Sequence, residues 1–276
     1  SDVTTDEALM FIRKQAGAAR PFLAVVWFGS PHVPHIAMPA DKAAYRALPE
    51  SEQNYYGELA AVDRSVGRLR AALRELKVSE NTLLWYNSDN GGNEGPKSTG
   101  NLRGSKGTLW EGGLRVPGIV EWPARITKPF VIETPCSTLD IYPTVLAATG
   151  AVAKNQIKPL DGISLLPLFD SQTATRPKVI PFWNHAGPQP GHAALLDWPY
   201  KLHTDAVAGR GGKKGKKAGD PQPAIQLYNV EKDPKETTDL AAKEPERVAK
   251  MTAALTAWKA SVEKSLAGSD YATPSP

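Results

Sequence analysis

Three kinds of side chain in residues 82–122 are of types and spacings that could do chemistry together. Asp89 and Asn90 stand side by side in Ser88-Asp89-Asn90-Gly91-Gly92, directly after the apolar run Thr82–Tyr86. Their oxygens are hard donors, the kind that calcium and magnesium take. Lys106 follows sixteen residues after Asn90, in Gly104-Ser105-Lys106-Gly107-Thr108, where no bulky neighbour keeps an anion from its ammonium. Glu111-Gly112-Gly113-Leu114-Arg115-Val116-Pro117 then leads into a second apolar run, Gly118–Trp122. Metal-type oxygens followed by an unhindered cation point to a phosphate-like or sulfate-like group. Taken singly, each piece is ordinary. Asp-Asn-Gly is a common turn sequence, and Glu111 and Arg115, four apart, suit a simple ion pair on a helix.

The elements that must position these groups are legible on either side. Thr82–Tyr86 has the length and the β-branched and aromatic content of a buried strand, and in open α/β sheets ligands collect beyond the carboxyl ends of strands. Pro21–Phe28 (PFLAVVWF) is a continuous apolar run, expected to be a central strand buried on both faces. It ends in Gly29-Ser30-Pro31-His32-Val33-Pro34-His35, a second strand end carrying polar groups. Thr5–Ala16 reads as an amphipathic helix with Thr5 as its cap signal. Glu52–Leu76 reads as a long crossover helix with Leu59, Val62, Val66, Leu69, Leu73 and Leu76 on one stripe. Its arginines read as a solvated face without chemistry. Strand, helix, strand in this order predicts a mostly parallel sheet in a layered α/β fold.

Thr138–Gly150 reads as a short helix closed by glycine. From Pro177 the character changes: Val179–Trp183, Ala193–Trp198, Tyr200–Thr204 and Ile225–Asn229 are short apolar segments between Pro/Gly turns, expected as a small antiparallel sheet. A helix is expected over Pro245–Leu266 and a disordered tail after Gly268.

The strings DNGG and GSKGTLWEGGLRVPGIVEWP together resemble the sulfatase family of the alkaline-phosphatase-like superfamily, and the likeness runs over most of the chain. It implies a layered α/β/α fold with a mostly parallel sheet, present here in part, plus a C-terminal antiparallel sheet and helix. The implied division is residues 1–172, belonging to the catalytic domain, and 173–276, a C-terminal subdomain. The implied reaction is hydrolysis of sulfate esters, of glycans or aryl alcohols, by a formylglycine made from cysteine, with calcium (or magnesium) as the divalent ion. By resemblance Asp89 and Asn90 are metal ligands, while Lys106 and His32 contact the sulfate and serve catalysis; His35 is a weaker match than His32. The family also uses a nucleophile and an early aspartate pair that this sequence lacks, so the chain is expected to hold part of a site and to be inactive alone. Alternatives from the same scaffold are a phosphodiesterase or phosphonate hydrolase, and a non-catalytic anion- or glycan-binding relative. The resemblance also implies a periplasmic, secreted or lysosome-like parent.

Composition sets further bounds. At 276 residues, 41% hydrophobic and 22% charged, the chain has ordinary globular composition. Its net charge of +4 rests on Arg210, Lys213, Lys214, Lys216 and Lys217; without those five it is −1, so the body is not that of a nucleic-acid binder. The loop 209–219 that holds them reads as flexible, with attraction of a polyanionic substrate as the sharper alternative. No apolar run approaches the ~20 residues of a membrane span. The one cysteine, Cys136, excludes an internal disulfide. Its neighbours Pro135-Cys136-Ser137-Thr138 lack the formylglycine pattern, so it is expected to be a buried or half-buried structural thiol. Trp110, Trp183, His185 and His192 are candidates for a sugar pocket, with packing as the plainer role.

Overall fold

A computed structural model describes residues 1–154, 156, 159–171, 175–184, 191–204 and 225–270. The chain divides into two compact units, Ser1–Leu84 with Val120–Thr127, and Trp85–Ile119 with Lys128–Pro276.

The first unit is built on helices α1 (Asp2–Gly17), α2 (Pro39–Lys42) and α3 (Glu50–Glu75). Leu9 and Ile12 of α1 meet Leu69, Ala72 and Leu73 of α3, with Ala8, Phe22, Ala24, Phe28, Leu76 and Val78 packed around them. Spacings of three and four put these residues on one side of each helix. Helix α1 starts at Asp2 rather than at Thr5, whose hydroxyl donates inside the first turn to the Ser1 carbonyl at 2.8 Å. The arginines of α3 pair outward: Arg64 with Asp41 and Asp2, Arg68 with Asp6 and Asp2, and Arg70 with Glu121 at 2.6 Å. Such largely exposed pairs contribute about 0–1 kcal/mol each.

Pro21–Phe28 departs from expectation. It forms no strand ladder, and its side chains alternate. Phe22, Ala24 and Phe28 pack inward, whereas Leu23, Val25 and Trp27 are 67%, 68% and 84% exposed. A run that is apolar on both faces hides a period of two, and only one face has a partner within this unit.

Strands β1 (Leu84–Asn87) and β2 (Gly118–Glu121) pair with each other, and α4 (Pro96–Thr99) and α5 (Glu111–Leu114) of the second unit lie between them in sequence. Strand β1 starts later than the apolar run, and its side chains are half-buried rather than buried. A 3₁₀ turn, Thr138–Asp140, leads into α6 (Ile141–Thr149), which ends at Gly150 with φ +67°; glycine takes this left-handed cap without steric cost. The Asp140 carboxylate is fully buried. It accepts from the amides of Ser137 and Ile163 and from both terminal nitrogens of Arg176, at 2.6–2.9 Å. Helix α7 (Leu166–Asp170) follows.

Strands β3 (Ile180–Trp183), β4 (Ala193–Asp197), β5 (Tyr200–Thr204) and β6 (Ile225–Asn229) then make the expected antiparallel sheet, in chain order. Leu202 lies opposite both Leu195 and Leu227. Those leucines and Ala193 pack on Met251 and Leu255 of α8 (Pro245–Leu266), flanked by Val248 and Trp258. Side chains alternate along a strand, so Lys201 and His203 of β5 and Gln226 and Tyr228 of β6 fall on the other face. The basic loop 209–219 and the last six residues lie outside the described residues.

Candidate functional site

The end of β1 is held open by its own polar groups. The Ser88 hydroxyl donates to the Asn90 carbonyl at 2.9 Å, and the Asn87 amide donates to the Ser88 carbonyl at 2.8 Å. Asp89 is exposed and Asn90 half-buried, and among the described residues neither side chain has a hydrogen-bond partner. Gly91 N–H donates to the Gly113 carbonyl at 2.9 Å. A Cβ on Gly91 would lie 2.0 Å from the Gly112 oxygen, so only glycine permits this approach of strand end to α5.

Lys106 comes to the same place through the backbone. Its N–H donates to the Gly92 carbonyl at 3.0 Å, two residues beyond Asn90. The Ser105 carbonyl accepts from the Thr108 amide at 3.0 Å and hydroxyl at 2.8 Å, and Gly107 has φ +84°. Lys106 is therefore the exposed tip of a tight reversal, with no ion-pair partner among the described residues. Asn184, just past β3, donates its side-chain N–H to the Gly107 carbonyl at 3.2 Å. Gly112 N–H donates to the Arg103 carbonyl at 2.7 Å and closes the base of the turn.

Behind this turn lies a buried polar cluster that the sequence did not announce. Glu111, the first residue of α5, accepts from Lys201 Nζ at 2.8 Å. Lys201 Nζ also lies 3.1 Å from Glu236 Oε1, which accepts from His203 Nε2 at 2.8 Å. Glu236 Oε2 accepts the backbone N–H of Glu111 at 2.7 Å. A carboxylate can only accept, so His203 carries its proton on Nε2, and its Nδ1 accepts from His192 Nε2 at 3.0 Å. Trp110 stacks on His203, with ring centres 4.2 Å apart, and the Arg103 guanidinium lies 3.5 Å over the Trp110 ring. Burial first, then the Lys201 charge, pushes both imidazoles down: His192 to about 4, and His203 well below its ordinary 6.5. Glu236 is 1% exposed and has φ +54°, a left-handed backbone that costs a side-chain-bearing residue about 1–2 kcal/mol. Glu111 and Arg115 also stand 4.0 Å apart, but the closer partner of Glu111 is Lys201. A Lys-x-His pair in a strand and the Trp-Glu after the Lys106 turn were the available signals.

The remaining candidates separate. His32, in the first unit, is exposed, and its Nδ1–H donates to the Val33 carbonyl at 2.7 Å, which leaves Nε2 without a partner among the described residues. His35 is structural: its Nε2 lies 3.2 Å from the Pro31 carbonyl and its ring packs on Tyr55. Cys136 is exposed rather than buried, because it precedes the turn capped by Ser137 and only Asp140 points inward there. Its sulfur is nevertheless shielded from water and faces the Asp140 carboxylate, and these two causes raise the thiol to about 11. Trp110 and His192 are buried inside the cluster; His185 lies outside the described residues. Among the described residues no three His, Cys, Asp or Glu side chains converge on a metal position.

A mixed α/β chain with oxygen donors and a cation gathered beyond a strand end, and a small antiparallel sheet behind, is a protein of the alkaline-phosphatase-like class. Comparison with known proteins narrows the class. The family model described as Sulfatase matches residues 1–151. A sulfatase of Formosa agariphila is 30% identical over 94% of this chain and 50% of its own length. The steryl-sulfatase of Mus musculus is 37% identical over 59% of this chain and 26% of its own length. The crystal structure of the PsFucS1 sulfatase from Pseudoalteromonas sp. superposes with a TM-score of 0.78 at 29% identity, covering 95% of this chain and 53% of that one. The chain belongs to the sulfatase family, and it spans half or less of the length of these curated relatives. Sulfatases act on sulfated substrates with a divalent metal ion. Among the described residues no helix is long and apolar enough to cross a membrane.

Proposed function

We propose that this chain supplies part of the active site of a sulfuric ester hydrolase acting on sulfated glycans or aryl sulfates. One observation carries the reading: two backbone bonds, Gly91 to Gly113 and Lys106 to Gly92, fasten two unpartnered oxygen donors and an unpartnered ammonium to the same strand end. In this reading Lys106 holds a sulfate oxygen and offsets the negative charge that grows there as the ester bond breaks. His32, with Nδ1 occupied by Val33, offers Nε2 to the sulfate or the leaving oxygen.

The donor set suits calcium, or magnesium in its place. Asp89 and Asn90 present hard oxygens that no other group occupies among the described residues, two of the roughly 6–8 that calcium takes. When bound, the ion supplies Lewis-acid polarisation of the sulfate oxygens. Cys136 does not serve as the nucleophile in this reading, because a thiol raised to about 11 holds its proton at neutral pH and its neighbours lack the formylglycine pattern. The nucleophile and the further metal ligands are assigned to residues outside these 276. The parent is assigned to a periplasmic, secreted or lysosome-like compartment.

The test is release of a chromogenic phenol from an aryl sulfate by the full-length protein and by this chain alone. Turnover is expected only from the full-length protein. Turnover by the chain alone would remove the partial-site reading, and faster cleavage of an aryl phosphonate than of the sulfate would reassign the reaction.

A further inference from the structure

We infer that Glu236 is a positioning residue for the oxyanion site, acting through Glu111 and α5 on the Lys106 turn and the Asp89–Asn90 strand end. The inference rests on the sulfatase reading only for its kinetic consequence.

Every acceptor of Glu236 is committed. Oε1 takes His203 Nε2 at 2.8 Å and Lys201 Nζ at 3.1 Å, Oε2 takes the Glu111 N–H at 2.7 Å, and the backbone carbonyl takes Arg103 at 2.9 Å. Charge closes within the cluster: Glu111 and Glu236 face Lys201 and Arg103, with His192 and His203 neutral. Well-packed hydrocarbon of the same volume would carry no desolvation cost here, so a buried pair is weak evidence of stabilisation as such. Hydrocarbon cannot accept the N–H of Glu111, and that bond has geometric consequences.

Helix α5 is one turn long and has almost no slack. A Cβ on Gly112 would lie 2.5 Å from the Gly104 carbonyl oxygen, and one on Gly113 would lie 2.2 Å from the Thr108 oxygen and 2.6 Å from the Ser105 oxygen. Gly112 N–H reaches the Arg103 carbonyl, and the Gly113 carbonyl receives Gly91 N–H. Helix α5 thus touches both ends of the Lys106 turn and the glycine that follows Asp89-Asn90. Glu236 fixes where that helix starts, and Lys201 and His203 tie Glu236 to β5. Any play at Glu111 is passed through rigid backbone contacts to Lys106.

Glu236→Gln keeps the volume but has one side-chain acceptor where the glutamate has two, so either the Glu111 N–H or the Lys201–His203 side loses its partner. Asp140→Asn is the control, a buried carboxylate of the same unit that touches neither turn nor strand end. The first readout is amide hydrogen exchange of this chain. In Glu236→Gln, residues 103–113 are expected to exchange roughly tenfold faster while the peptides of α1, α3 and α6 hold their rates; Asp140→Asn is expected to leave 103–113 unchanged. The second readout is kinetic, in the full-length protein. There kcat on the aryl sulfate is expected to fall roughly 10- to 100-fold with KM nearly constant, the signature of misplaced rather than missing binding groups. If Glu236→Gln does not fold, His203→Gln, which shortens the same tie, is measured instead, with the same local pattern expected. Unchanged exchange at 103–113, or an equal rise there in both carboxylate variants, would overturn the inference. An inactive wild-type enzyme would overturn the proposed function instead and leave the exchange result standing.

Discussion

Among the described residues no group competes for the ammonium of Lys106. Its ammonium stands at the tip of a turn whose polar backbone groups are already bonded, so removing the side chain should leave the turn intact. Lys106→Ala in the full-length protein is expected to lose about 100-fold or more in kcat on an aryl sulfate, the scale of a lost transition-state charge contact. Its melting temperature should stay within about 1 °C, because exposed substitutions shift stability little; full activity in the variant would take Lys106 out of the reaction. The histidine pair makes the opposite kind of prediction, about stability. His192 is pushed down to about 4 in the fold and His203 well below its ordinary 6.5, so below that pH the unfolded chain binds protons the folded chain refuses. Their contribution is complete above pH ~6.5 and is lost as pH falls toward ~4. Lys201, Arg103, Glu111, Glu236 and Tyr228 face the pair. Urea midpoints of this chain should fall between pH 7 and 5, and His192→Gln should show a shallower fall; equal slopes would contradict neutral burial of His192.

At the scale of elements, the one-turn helix α5 is the joint of the site, and its glycines are there for contact. Gly113→Ala would drive a methyl group to 2.2 Å from the Thr108 oxygen, whereas Gly118→Ala on β2 meets nothing within 4 Å. The first is expected to cost about 2 kcal/mol or more, at the upper end for overpacking, and to reduce activity with it. The second should stay within about 1 kcal/mol. Equal effects of the two in a denaturation series would remove the tight joint. The turn before α6 is a second fixed point. Asp140 there is fully buried with two amides and Arg176, and Asp140→Ala should cost about 3–5 kcal/mol because it strands the guanidinium. Calorimetric unfolding of the variant checks this.

At the scale of the whole chain, the donor count sets metal affinity. Two protein oxygens are far short of the 6–8 that calcium prefers, so isothermal titration of the isolated 276 residues should show no tight, stoichiometric calcium binding. Tight binding would mean that further ligands lie within this chain. The exposed face of Pro21–Phe28 fits the same picture. In the isolated chain Trp27 is 84% exposed, and Trp27→Ser should change its stability by no more than about 0.5 kcal/mol.

What the sequence determined by itself was local: which residue types could carry chemistry, and roughly where most elements lie. The period of 3.6 in α3, the Trp198-Pro199 turn between β4 and β5, and the glycine after α6 are written in side-chain type and need no distant partner. The glycines that let the Lys106 turn bond the backbone beyond Asn90 are likewise visible in the letters. Tertiary structure decided burial. Lys201 and His203 alternate with Leu202 along β5, a period that puts them on one face without saying whether water reaches it; Glu111 and Glu236, 90 and 33 residues away in sequence, close over them. Pro21–Phe28 erred in the other direction: eight apolar letters look buried twice, but burial needs a second surface, and this unit provides one. Side-chain chemistry is carried by each residue, whereas exclusion of water depends on what the rest of the chain brings to it.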